Sequence, residues 1–69
     1  MERNTATTIK NLKFGDRFYK PSDKKKEVWQ YLAYKNRRYM CERDNDMHPT
    51  PFLESANVVF LRAAKDEMN

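Results

Sequence analysis

Seventeen residues, Glu27 to Arg43 (EVWQYLAYKNRRYMCER), constrain what this chain can fold into more than any other stretch. They hold the only tryptophan, three of the four tyrosines and the only cysteine. Val28, Leu32 and the aromatics Trp29, Tyr31 and Tyr34 are residues that strands favour. With Lys35-Asn36-Arg37 as the reversal, the stretch predicts two strands folded back on each other. A rival reading fits its first half. A helix over 22–35, capped by Ser22 or Asp23, sets Val28, Tyr31, Leu32 and Lys35 along one side.

The turn decides which hairpin face is buried. A two-residue turn gathers Val28, Leu32, Tyr39 and Cys41, whereas a three-residue turn gathers Trp29, Tyr31, Ala33, Tyr39 and Cys41. A one-residue slip exchanges the faces. Lys35-Asn36 and Asn36-Arg37 are both weaker turn signals than Asn-Gly, so the register stays open. Tyr39 and Cys41 point inward in either case.

Around this hairpin the chain breaks into short pieces. Residues 1–8 lack apolar periodicity and read as a flexible tail, and 9–62 as a single β domain. Gly15, the only glycine, suits a tight turn of positive φ. Arg17-Phe18-Tyr19-Lys20 then alternates as a strand, with Phe18 on one face. Pro21-Ser22-Asp23 ends it, and Lys24-Lys25-Lys26 forms an exposed loop. Asp44 to Pro51 is a loop by composition. Phe52-Leu53-Glu54 reads as a short edge strand and Asn57 to Leu61 as the clearest strand after the hairpin. Residues 63–69 are a C-terminal tail, with Arg62 to Glu67 long enough for a short helical turn.

Five short strands in so short a chain predict a mainly β domain, a small antiparallel barrel, closed or half-open. Leu12-Lys13-Phe14-Gly15-Asp16-Arg17-Phe18 resembles the L-x-x-G-D-x-F opening of small SH3-like barrel proteins of bacteria and their phages. Those proteins also follow it with an aromatic-rich hairpin and a Val-rich last strand. The resemblance implies a five-stranded SH3-like half-open barrel over residues 9 to 62 and carries over no functional residue.

Charge narrows the function. The net is +4 in 69 residues, and residues 10–38 hold ten Lys and Arg against three acids, a local +7. One positive face of this kind suits phosphate backbones or an acidic protein partner. A lone cysteine excludes an internal disulfide and suits a reducing compartment. With no apolar leader and no run near the roughly 20 apolar residues a membrane span needs, the expectation is a cytoplasmic protein.

Catalysis finds no constellation. Cys41 and His48 lack an orienting partner, so no catalytic residue and no enzymatic activity are expected. Asp44, Asp46 and His48 alternate like cation ligands. A calcium loop, however, requires glycine at its sixth position and glutamate at its twelfth, where Pro49 and Ser55 stand. No metal and no cofactor are therefore expected. What remains is non-catalytic binding of nucleic acid. Lys24, Lys25, Lys26, Arg37 and Arg38 would contact phosphates, and Trp29 and Tyr34 would stack on bases. The alternative is a protein or peptide interaction module, with a homodimer formed through exposed Val58 and Phe60 on the last strand.

Overall fold

The computed structural model describes residues 2–43 and 48–63. Six strands form one antiparallel sheet: β1 (Thr5–Thr8), β2 (Arg17–Tyr19), β3 (Trp29–Lys35), β4 (Arg38–Arg43), β5 (Thr50–Phe52) and β6 (Asn57–Arg62). Their order is β1-β6-β2-β3-β4-β5. The strand reading of the hairpin holds, and the helix over 22–35 does not form. The sheet has six strands rather than five and is not closed, since β1 and β5 remain its edges. Among the described residues the only helical element is the 3-10 turn Ile9–Asn11, so no helix there is long and apolar enough to cross a membrane. Asp44 to Met47 and the expected C-terminal helical turn beyond Ala63 lie outside the described residues.

The extra strand comes from the expected tail. Thr5–Thr8 has no apolar stripe, yet it pairs in register with β6, from Thr5 opposite Phe60 to Thr8 opposite Asn57. Ile9, fully buried, continues this pairing by donating its N–H to the Ala56 carbonyl at 2.9 Å. β6 is thereby an interior strand, flanked by β1 and β2. Its Val58 and Phe60 are core residues, which removes them as an exposed seam for pairing two copies. β5 is an edge, as expected of a strand beside proline, although it runs two residues earlier than Phe52-Leu53-Glu54.

Curvature brings distant strands together. Flat, β5 and β2 would stand about 14 Å apart across three strand spacings. Instead the ring of Phe52 on β5 meets that of Phe18 on β2 edge-on at 5.6 Å. Around fully buried Phe18 pack Ile9, Leu12, Trp29, Cys41, Val58 and Phe60.

The Phe14-Gly15 turn locks β2 onto the hairpin. Gly15 has φ 89°, and Asp16 closes the turn twice. Its N–H donates to the Lys13 carbonyl at 2.9 Å, and its carboxylate Oδ2 accepts the Lys13 N–H at 2.9 Å. The turn then exchanges hydrogen bonds with β3: Gly15 N–H to Tyr31 carbonyl at 2.7 Å, and Tyr31 N–H to Asp16 carbonyl at 3.0 Å.

That docking settles the register. The hairpin turn has two residues, Asn36 and Arg37, with Lys35 opposite Arg38 and Tyr34 opposite Tyr39. Alone, this turn would bury Leu32. The ladder slips between Tyr31 and Ala33, so that Tyr31 stands opposite Cys41 and Trp29 opposite Arg43. The bulge at Leu32 returns Trp29 and Tyr31 to the core face and leaves Leu32 exposed. Cys41 is fully buried and Tyr39 packs against the core, as expected in either register.

Candidate binding surface

The sequence-predicted site is divided between the two ends of the hairpin. Lys24, Lys25 and Lys26 lie before its base and Arg37 and Arg38 at its tip. Seven β3 residues rising about 3.3 Å each hold them roughly 20 Å apart.

At the base, Asp23 folds the lysine loop. Its carboxylate accepts the N–H of Lys25 at 2.9 Å and of Glu27 at 3.0 Å, and its carbonyl accepts the N–H of Lys26 at 3.1 Å. Those bonds to Glu27 and Lys25 hold the Asp23 carboxyl below its ordinary value, with Lys20 and Lys25 adding attraction. The Lys26 ammonium reaches over the Tyr19 ring at 5.7 Å.

Trp29 is not available for stacking. It is 5% exposed, edge-on to Phe52 at 5.0 Å. Lys20 and Arg43 cover its ring at 5.0 and 5.1 Å, and Arg43 also pairs with Glu27 at 2.9 Å. Burial in so small a core outweighs the exposure expected of it. Its indole N–H is buried without a hydrogen-bond partner among the described residues.

The surface at the tip joins Tyr34, the stacking ring expected from the sequence, to Tyr39, Tyr31 and Phe14. Tyr34 packs on Tyr39 at 4.8 Å, Tyr39 on Tyr31 at 5.3 Å and Tyr31 on Phe14 at 5.0 Å. The end members are the exposed ones, Phe14 at 68% and Tyr34 at 51%, while Tyr39 is half-buried. Phe14 had a legible signal: an aromatic inside a glycine turn has little beneath it to bury against. Burial, followed by Tyr39, Cys41 and Tyr34, raises the pKa of Tyr31, and burial, followed by Tyr34 and Glu54, raises that of Tyr39. Both phenols therefore stay protonated at neutral pH.

Beside Tyr34 the β5–β6 turn, closed by Ala56 N–H on the Leu53 carbonyl at 2.9 Å, completes a shallow depression. Its lining is Tyr34, Arg37, Arg38, Leu53, Glu54 and Ser55. The Arg38 guanidinium donates to the Arg37 carbonyl at 3.3 Å, and among the described residues neither arginine forms an ion pair with Glu54. Flat rings beside guanidinium groups can hold a planar group and an anion together.

Cys41 takes no part. Its thiol donates to the Tyr39 carbonyl at 3.5 Å, and burial pushes its pKa up to about 12, the opposite of an activated nucleophile. Asp44 and Asp46 of the cation-like run lie outside the described residues. No protein-family model, curated protein or solved structure matches the chain.

Proposed function

We propose that the chain is a non-catalytic, cytoplasmic binding module for single-stranded nucleic acid, on an SH3-like half-open barrel with an added edge strand. The carrying observation is the ring strip that ends in exposed Tyr34 beside Arg37 and Arg38. Unpaired bases stack on Tyr34 and Phe14, and the tip guanidiniums contact phosphates. Lys24, Lys25 and Lys26 meet the backbone further along the strand. The fold assignment is supported by the order β6-β2-β3-β4-β5, in which the last strand returns beside the first of the meander.

A peptide or protein partner is the second reading. Leu53, 56% exposed beside Tyr34, favours it.

Salt separates the two. Fluorescence anisotropy of a labelled single-stranded oligonucleotide at about 50 and 200 mM salt is expected to show affinity falling steeply, about one log unit of slope per phosphate contact. Tyr34→Ala and the pair Arg37→Ala, Arg38→Ala are expected to weaken binding at least several-fold. An absence of salt-sensitive binding at tens of micromolar protein overturns this function.

A further inference from the structure

A carboxylate is out of place in a depression that holds phosphates. Glu54 lines it with Arg37 and Arg38, is exposed, and forms no ion pair with them among the described residues. Its negative charge, after burial and Tyr34, disfavours the Tyr39 phenolate. Against a backbone alone Glu54 only repels. Its position beside Tyr34 gives it a different use, because a base stacked on that ring presents its polar edge to the depression wall.

We propose that Glu54 reads the base stacked on Tyr34 and selects guanine; this rests on the single-strand reading above. A carboxylate only accepts hydrogen bonds, with two oxygens side by side. Unpaired bases are read along their Watson–Crick edges. Guanine offers two adjacent donors there, N1–H and the N2 amino group, matching both oxygens. Cytosine and adenine each offer one amino group next to an acceptor nitrogen. Uracil offers one N–H between two carbonyls, which repel the carboxylate. The expected order is guanine first, cytosine and adenine next, uracil last. Ser55, on the same rim, donates or accepts and adds no discrimination of its own.

The experiment compares seven-nucleotide RNAs, all uridine except for a central G, C, A or U, against the parent chain and Glu54→Ala. Single substitutions avoid the self-association of guanine tracts. The guanine oligonucleotide is expected to bind the parent about tenfold more tightly than the all-uridine one, the scale of one bidentate base contact. Glu54→Ala should erase that preference while binding the all-uridine oligonucleotide as well or better, since a repulsive charge is gone. Glu54 is a surface residue, and an unchanged melting temperature confirms that the variant is folded. Equal binding of all four RNAs, or a guanine preference that survives Glu54→Ala, overturns the proposal and leaves the single-strand function standing. No binding of any of the four removes both.

Discussion

Arg37 occupies a backbone conformation that its side chain does not favour. Its φ is 62°, following Asn36 at 52°, the pattern of a two-residue turn that prefers Asn-Gly. Asparagine tolerates the left-handed region, whereas for arginine it costs about 1–2 kcal/mol. Glycine would remove that cost and add back roughly 0.5–1 kcal/mol in chain entropy. Arg37→Gly is therefore expected to stabilise the fold by about 0.5–1 kcal/mol, read as a raised urea midpoint at unchanged slope. The same variant loses a tip cation, so its oligonucleotide salt slope should fall by about one unit. A higher midpoint with an unaltered salt slope would place Arg37 outside the site. Backbone strain often accompanies functional positions, and the two readouts test whether it does so at Arg37. Trp29 shows the limit of reading single residues. Aromatic character marked it as a large flat side chain, but whether such a ring stacks on a ligand or fills the core depends on partners far along the chain, Phe52 and Lys20 among them.

Hairpin existence was legible at the scale of elements; hairpin register was not. Local turn preference and face burial pull in opposite directions here. The Asn36-Arg37 turn favours one face, and the bulge at Leu32 restores the other. The force behind the bulge is non-local: the Gly15 turn docks on Tyr31 through two hydrogen bonds and carries Phe14 to the Tyr31 ring. β1 escaped for a related reason. Thr5–Thr8 has threonines suited to a strand, but its partner lies some fifty residues away at β6. Gly15 was read correctly because its constraint is local. Alanine at φ 89° meets the steric penalty glycine avoids, so Gly15→Ala should cost about 1–2 kcal/mol, and more if the turn shifts and loosens the bulge. Chemical denaturation measures the cost, and hydrogen exchange at the Gly15 and Tyr31 amides tests the coupling. A variant as stable as its parent would mean that the turn does not anchor the hairpin.

For the molecule as a whole, smallness makes stability sensitive to titration. A core of this size supplies roughly 3–5 kcal/mol, with no internal disulfide to reinforce it. Among its groups that ionise at high pH, Cys41, Tyr31 and Tyr39 are pushed up on folding. Burial takes Cys41 from 9.0 to about 12, and burial is also the leading cause for Tyr31 and Tyr39, both raised from 10.0. In the unfolded chain these groups give up their protons first. Above pH 9 the unfolded state therefore binds fewer protons than the folded one, and stability falls as pH rises. Cys41's contribution is complete below about pH 9 and is lost by about pH 12, while the tyrosines begin to add near pH 10. Each proton released on unfolding steepens the decline by about 1.4 kcal/mol per pH unit. Cys41 alone then removes about 2 kcal/mol between pH 9 and 11, a large share of what so small a core provides. Melting temperatures should hold nearly level from pH 7 to 9 and fall progressively beyond. Cys41→Ala lowers the starting stability but removes its proton from the balance, so its decline between pH 9 and 10 should be flatter than the parent's. Parallel curves for the two proteins would show that Cys41 ionises equally well folded and unfolded, against its full burial in the core.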